Sequence, residues 1–107
     1  MKAKILIVDD DPDIVTMLED RLQASDYRTV IAQDGVQALE LVEQEAPGLM
    51  LLDLDMPRLT GIEVLKRLPK VRPTEDLPVI VMTAHASIDA AVEAMKTGAY
   101  DFLTKPL

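Results

Sequence analysis

Short aliphatic runs alternate along this chain with longer segments in which apolar residues recur at helical spacing. Residues 4–8, 49–52 and 79–82 lack polar alternation, as expected of strands covered on both faces of a parallel sheet. Residues 28–32 and 100–103 are more mixed and suit less central strands. This alternation predicts an α/β fold, in which right-handed crossovers place helices on both faces of a doubly wound, five-stranded parallel sheet.

Four segments between these runs carry signals for the start or end of a helix. Asp11 followed by Pro12 is typical of an N-cap with proline in the first turn. We expect Pro69 to end or kink the third helix and Gly98 to lie at the end of the fourth. The residues that cap or precede the four helices are Asp11, Asp34, Gly61 and Ser87. The residues expected to face the core are Ile14, Met17, Leu18 and Leu22 in the first helix, Val36, Leu39 and Val42 in the second, Ile62, Leu65 and Leu68 in the third, and Ile88, Ala91, Val92 and Met95 in the fourth.

The length, charge and cysteine content of the chain limit the number of its domains and the kinds of partner it can bind. Its 107 residues fit one domain, 1–107, without a linker or repeat. A formal net charge of −8 argues against binding to nucleic acid or to anionic lipid, and no apolar run is long enough to span a membrane. The absence of cysteine excludes disulfides and thiolate chemistry and suits a cytoplasmic protein.

Several common kinds of active site lack the residues that they require. The four glycines are too widely separated for a P-loop or a dinucleotide-binding turn. His85 is the single histidine, and neither Ser25 nor Ser87 lies in a nucleophile-elbow motif. Classical hydrolase triads and histidine-rich metal sites are therefore excluded.

Polar residues stand where the predicted strands end. Asp9 and Asp10 follow the first strand, Asp53 the third, Thr83 the fourth and Lys105 the fifth. If the first and third strands are neighbours, their carboxylates converge and repel one another unless a cation or proton neutralises them. Mg²⁺ prefers such oxygen ligands, and a hydroxyl and an ammonium complement the oxygens of a phosphoryl group. The set indicates phosphoryl transfer to an aspartate.

Five separated motifs, in this order, make the chain resemble the receiver domain of two-component response regulators. The matching stretches are 7–12, 51–57 with Gly61, 82–84 and 98–106. The resemblance covers the whole chain. It implies a flavodoxin-like, CheY-like fold with strand order 2-1-3-4-5.

The resemblance also implies a role for each residue at the strand ends. Asp53 would accept a phosphoryl group from a phosphohistidine on a sensor histidine kinase or phosphotransfer protein, in a reaction that requires Mg²⁺ or Mn²⁺. Asp10 and Asp53 would ligate the metal directly, Asp9 would contact it through a water, and Asp55 would supply its backbone carbonyl. Thr83 and Lys105 would bind the phosphoryl oxygens.

Four further expectations concern switching and tuning. By the family pattern, Phe102 is an aromatic whose ring turns inward when Thr83 moves toward the phosphoryl group, although it also suits a plain core position. The Lys105–Pro106 bond is expected to be cis. His85 and the side chain of Asp55 are candidates for controlling water access to the acyl phosphate, with a plain surface histidine as the alternative for His85. Residues 82–107 look most like receivers of AAA+ transcription activators that work with the alternative sigma factor, sigma-54.

Receivers of this family normally carry a fifth helix after the Lys-Pro strand, and the sequence ends at Leu107. We therefore expect an excerpt of a longer regulator whose output domain lies elsewhere in the parent chain. Without that helix, one sheet face would be covered by the first helix alone. Exposed apolar surface would then favour a homodimer, element exchange or low stability.

Two other functions remain open at this point. Asp53 and Asp55 also resemble the D-x-D pair of haloacid-dehalogenase-like phosphatases, which would make the chain a small Mg²⁺-dependent enzyme. That motif ordinarily ends the first strand and needs a cap domain. The chain could instead be a phosphorylation-independent binding module. The receiver hypothesis, in which the chain is not an enzyme with turnover, accounts for more of the residues.

Overall fold

The computed structural model describes residues 3–84 and 88–107. His85, and Ser87 as the predicted cap of the fourth helix, lie outside this range. In chain order the elements are β1 (Lys4–Val8), α1 (Pro12–Ala24), β2 (Arg28–Ala32), α2 (Gly35–Glu45), β3 (Leu49–Asp53), α3 (Gly61–Val71), a 3-10 helix (Thr74–Asp76), β4 (Val79–Ala84), α4 (Ile88–Thr97) and β5 (Asp101–Lys105).

All five strands form one parallel sheet in the order β2-β1-β3-β4-β5. The flavodoxin-like order is thereby confirmed, and the two mixed runs form the two edge strands. Strand order reverses between β1 and β3, where Val8 pairs with Leu52. Ligands of open α/β sheets bind at such a reversal, beyond the carboxyl ends of the strands.

An aliphatic core lies on each face of the sheet. On one face α2, α3 and α4 cover strand residues such as Leu6, Met50 and Val81. On the other, among the described residues, α1 alone covers a smaller cluster that includes Ile7 and Met82. This asymmetry agrees with the expectation for a chain with four helices.

The predicted start signals of α1 and α2 are confirmed. The Asp11 side chain accepts a hydrogen bond from the Asp13 backbone N–H, and the Asp34 side chain accepts one from that of Gln37. Of the two alternatives predicted for Pro69, the one in which it ends α3 is wrong, because the helix continues to Val71; a kink at Pro69 stays a prediction. Proline removes one hydrogen bond there without blocking the last turn, which closes through the Arg72 N–H on the carbonyl of Leu68.

The predicted inward faces of α4 and α2 need correction. Ile88, Val92 and Met95 are 63%, 48% and 39% exposed, and Val36 in α2 is 55% exposed. Of the predicted residues of α4, Ala91 is buried as expected, and Ala94 is buried with it, because these small residues let α4 lie close to the sheet. In α2 the buried residues are Gly35, Ala38 and Val42.

Strand β5 runs two residues further than predicted and begins one residue later. Its parallel register continues until Lys105 pairs with Ala84, which also extends β4 past Thr83. Within the described residues, no helix is long and apolar enough to cross a membrane.

Candidate functional site

Three aspartates meet at the end of the sheet where strand order reverses. Asp53 is the last residue of β3, and Asp9 and Asp10 directly follow the neighbouring β1. One carboxylate oxygen from each lies within 4.8 Å of the others. Asp9 and Asp53 are 1% and 2% exposed, whereas Asp10 faces solvent. The convergence predicted from the strand ends is present.

Lys105 reaches into this cluster from the end of β5. Its ammonium lies 3.1 Å from Oδ2 of Asp9 and 3.2 Å from Oδ1 of Asp53. The Lys105–Pro106 bond is cis, as expected. One cation thus lies against two buried carboxylates, a shared contact that the motifs alone did not indicate.

Backbone N–H groups hold both buried carboxylates in place. Oδ1 of Asp9 accepts a hydrogen bond from Asp11 at 2.9 Å, and Oδ1 of Asp53 accepts one from Asp55 at 3.1 Å. Among the hydrogen bonds of the described residues, none ends on Oδ2 of Asp53. That oxygen remains available to a ligand.

The charges in the cluster alter the pKa values of two groups. Burial raises the pKa of the Asp53 carboxyl above its ordinary value, and the negative charge of Asp9 adds to the rise. The Asp55 N–H and the Lys105 ammonium oppose it. Burial alone would lower the pKa of Lys105, but its hydrogen bond to Asp9 and the charges of Asp53 and Asp9 outweigh that effect and raise it.

Thr83 lies on β4, directly after Met82, which pairs with Asp53. It is 2% exposed, and its Oγ1 is buried without a hydrogen-bond partner among the described residues. A buried hydroxyl without a partner costs about 1–3 kcal/mol. Such a group suits a ligand that offers an acceptor oxygen, as a phosphoryl group does.

Gly61 allows the loop after β3 to close tightly over the site. A Cβ at Gly61 would lie 2.7 Å from the Asp53 carbonyl oxygen and 2.8 Å from Cα of Leu54. Both are backbone atoms, which cannot move aside as a flexible side chain can. The first residue of α3 therefore has to be glycine for Asp53 to keep this position. The sequence identified Gly61 as part of a motif but not this close approach.

The residues present fit a hard divalent cation. The cluster offers carboxylate oxygens and neither sulfur nor imidazole, which is the donor set that Mg²⁺ and Mn²⁺ take. Two buried carboxylates share one ammonium and the solvent-facing carboxylate of Asp10 lies beside them, so the pocket retains excess negative charge for a metal to neutralise.

The other predicted residues have varied placements. Asp55 is exposed, and its Oδ2 lies 3.4 Å from the backbone nitrogen of Ala84, so the side chain is held at the rim. Phe102 is 40% exposed on β5 and is not a core residue. Asp11 acts as the cap of α1, as predicted. His85 lies outside the described residues.

A cavity of about 480 Å³ opens beside Asp9 and Asp10. Its wall continues past Gln33 and Asp34 to Arg58, in the loop between β3 and α3. Sequence reasoning missed Arg58; the available signal was a single cation in the loop that follows Asp53.

Comparisons with known proteins give one consistent result. The model of the response regulator receiver domain family matches residues 5–107. The chain is 46% identical over 106 residues to the transcriptional regulatory protein ZraR of Klebsiella oxytoca, covering 99% of this chain and 24% of that protein. It therefore spans about a quarter of that relative's length.

Solved structures agree with the sequence match. NtrX from Brucella abortus superimposes with a TM-score of 0.92 at 38% identity, over 100% of this chain and 24% of that one. The Vibrio cholerae chemotaxis protein CheY4 gives 0.91 at 30% identity, over 100% of this chain and 89% of that one. With five strands in receiver order and its acidic cluster at the strand reversal, the chain belongs to the response regulator receiver domain family of two-component systems.

Proposed function

We propose that Asp53 is the phosphoacceptor of this receiver and takes its phosphoryl group from a phosphohistidine on a sensor histidine kinase or phosphotransfer protein. One observation carries the proposal. A buried carboxylate, with one oxygen free of protein hydrogen bonds, lies between a lysine ammonium and two further aspartates. A nearby buried threonine hydroxyl lacks an acceptor.

The transfer step follows from these positions. Oδ1 of Asp53 is occupied by Lys105 and the Asp55 N–H, so Oδ2 attacks the phosphorus. A P–O bond to Asp53 forms as the P–N bond of the donor breaks, and the departing imidazole keeps the electron pair and later takes up a proton. Lys105 and Thr83 then bind oxygens of the transferred group.

Asp10 and Asp53 would hold Mg²⁺ or Mn²⁺ directly, with Asp9 through a water and Asp55 through its backbone carbonyl. Bound there, the cation supplies neutralisation of the charge on the phosphoryl oxygens. The exposed position of Asp10 supports its role as the ligand through which the ion enters. Asp9, in contrast, is already engaged by Lys105 and the Asp11 N–H.

The switch would join Thr83 to Phe102 and change the surface formed by α4 and β5. When Thr83 moves to bind a phosphoryl oxygen it vacates space, and the Phe102 ring, now exposed, can turn inward. Parallel pairing places Phe102 opposite Val81, on the sheet face that α4 covers. The added phosphoryl charge of about −1.5 to −2 biases the two arrangements.

The partners follow from this role. A cytoplasmic sensor kinase would donate the phosphoryl group, and an output domain in the parent chain would read the α4 and β5 surface. The similarity to a transcriptional regulatory protein supports regulation of transcription as the output.

The exposed apolar residues on the surface formed by α4 and β5 support a homodimer as the active form of the protein. These residues are Val92, Met95 and Phe102.

The chemistry is self-modification rather than turnover. The phosphatase hypothesis is not favoured, because Asp53 ends the third strand and the carboxylate of Asp55 lies by the Ala84 nitrogen rather than beside Asp53. The binding-module hypothesis differs from the receiver hypothesis in one respect: in a binding module, Asp53 does not accept a phosphoryl group. The same experiment therefore addresses both.

The test is incubation with acetyl phosphate or phosphoramidate and Mg²⁺, followed by intact mass measurement. We expect a mass increase of one phosphoryl group, absent from Asp53→Asn and present in the matched control Asp55→Asn. Chelation of the metal should abolish it. An unmodified wild-type protein that nevertheless binds beryllofluoride and Mg²⁺ in a folded state would contradict phosphoryl transfer. Continuous release of phosphate from a generic ester would instead support the phosphatase.

A further inference from the structure

Arg58 occupies an unusual position beside the phosphorylation pocket. It lies in the loop between Asp53 and α3 with a φ of 65°, in the left-handed region that L-residues rarely adopt. The side chain is exposed. This backbone turn places the residue on the wall of the cavity that begins at Asp9 and Asp10.

Among the described residues, the Arg58 guanidinium is the one cation on that wall. The cavity of about 480 Å³ is lined by Asp9, Asp10 and Asp34 together with apolar and uncharged polar residues. Arg58 also lines an adjoining cavity of about 520 Å³ that reaches Glu40 on α2. A ligand approaching Asp10 through the first cavity meets the Arg58 guanidinium and three carboxylates.

Arg58 is also without a partner in the part of the chain that the structure describes. No hydrogen bond or ion pair joins it to residues 3–84 or 88–107, although Asp10 and Asp34 line the same cavity. Lys105, the cation inside the pocket, is in contrast already held by Asp9 and Asp53. Among the described residues that line the cavity, the positive charge without a partner is therefore that of Arg58.

We propose that Arg58 is a donor-binding residue: its guanidinium attracts and orients the anionic phosphoryl donor at the mouth of the pocket before transfer to Asp53. The inference rests on the proposed function. A chain of net charge −8 repels such a donor, and a planar guanidinium can pair two of its oxygens at once. The residue positions the donor and takes no part in bond breaking.

The test measures the rate of Asp53 phosphorylation against the concentration of acetyl phosphate and of phosphoramidate at saturating Mg²⁺. The variants are Arg58→Lys, Arg58→Gln and Arg58→Glu. The matched control is Arg67→Gln, an exposed α3 residue that lines neither cavity and undergoes the same charge change. The affinity for Mg²⁺ is measured separately for each protein by its effect on thermal unfolding.

We expect Arg58→Gln to lower the second-order rate constant about two- to fivefold, as for loss of an exposed charge interaction. Arg58→Glu should lower it further, and Arg58→Lys should retain most of it. Raising the salt concentration should narrow the difference in rate between the wild type and Arg58→Gln, because salt screens the attraction to Arg58 that only the wild type has. The plateau rate and the Mg²⁺ affinity should stay unchanged.

Two outcomes would overturn the inference: equal losses in Arg58→Gln and Arg67→Gln, or a loss fully explained by altered Mg²⁺ affinity. Both leave phosphorylation of Asp53 intact in the wild type. Failure of the wild type itself to be phosphorylated would instead refute the proposed function, so the two failures are distinguishable.

Discussion

Oδ1 of Asp53 lies 3.2 Å from the ammonium of Lys105, although β4 separates the strands that carry these two residues. The same ammonium lies 3.1 Å from Asp9, so one cation offsets two buried negative charges. A phosphoryl group arriving on Asp53 adds charge to this cluster. If Asp53 is phosphorylated as proposed, Lys105 would contact phosphoryl oxygens in addition to the carboxylates of Asp9 and Asp53. Several measurable properties depend on that arrangement.

We expect Lys105→Met to lower the free energy of unfolding by about 1–3 kcal/mol at neutral pH without Mg²⁺, since two buried carboxylates lose their shared cation. The range allows for the partial exposure of the lysine. Denaturation by urea measures it. Lys4→Met is the matched control, because Lys4 pairs with the more exposed Glu45 at 3.0 Å and should contribute less. Equal losses of stability in Lys105→Met and Lys4→Met would contradict the inference that Lys105 stabilises two buried carboxylates.

Asp53→Asn should be more stable than the wild type at neutral pH without Mg²⁺, and the difference should shrink on acidification. The pKa of Asp53 in the folded protein lies above its ordinary value of 3.8. Between pH 3.8 and the raised pKa of Asp53, the folded state therefore binds more protons than the unfolded state. The free energy of unfolding falls as the pH rises through this range. Thermal unfolding of both proteins between pH 4 and 8 checks this trend. A difference that is constant with pH would refute it.

Mg²⁺ should stabilise the folded domain through Asp10. A ligand at one hundred times its dissociation constant adds about 2.7 kcal/mol to the free energy of unfolding. We expect Asp10→Asn to remove most of the Mg²⁺-dependent rise in melting temperature. Asp20→Asn, an exposed substitution on α1 with the same charge change, should keep it. Loss of the shift in both variants would point to a general ionic effect.

Thr83→Val should separate stability from function. The buried Thr83 hydroxyl has no partner among the described residues, so its replacement by a methyl group should raise the free energy of unfolding by about 1 kcal/mol. The same change removes a donor for the phosphoryl group and should slow phosphorylation of Asp53. Thr83→Ser retains the hydroxyl and serves as the control for rate. A destabilised Thr83→Val would show that the hydroxyl has a partner.

Gly61→Ala should displace the loop that carries Asp53. The new methyl group would lie 2.7 Å from a backbone oxygen, so the substitution should cost about 1–3 kcal/mol of stability and weaken Mg²⁺ binding as well. Gly48→Ala is the control, because the nearest atom there is the Ala3 methyl group at 3.1 Å. Urea denaturation and Mg²⁺ titration measure the two effects. Normal metal affinity in Gly61→Ala would contradict this role.

The sequence predicted the positions of Asp53, Thr83 and Lys105 well, because each follows an aliphatic run of strand length and parallel strands end at one edge. It did not predict the double contact of Lys105 with Asp9 and Asp53. That contact depends on the register between β4 and β5, which no local pattern encodes. Registry between distant strands is a property of the whole sheet.

Burial within α4 was harder to predict than the helix itself. Hydrophobic spacing favoured Val92 and Met95 as inward residues, but the sheet accepts Ala91 and Ala94 and leaves the larger side chains outside. Which apolar residues on a helix are buried depends on how closely it can approach its neighbours. The site was thus more predictable than the packing around it, since its residues are fixed by strand ends rather than by side-chain size.

The two alanines that attach α4 to the sheet set how easily that helix can be repositioned. Each offers one methyl group to the core, whereas α3 is anchored by Val64, Leu65 and Leu68. Since a buried CH₂ contributes about 0.8 kcal/mol, moving α4 along the sheet loses less free energy of apolar burial than moving α3 would. If phosphorylation of Asp53 repositions α4 as proposed, fewer buried side-chain atoms have to change neighbours than a movement of α3 would require.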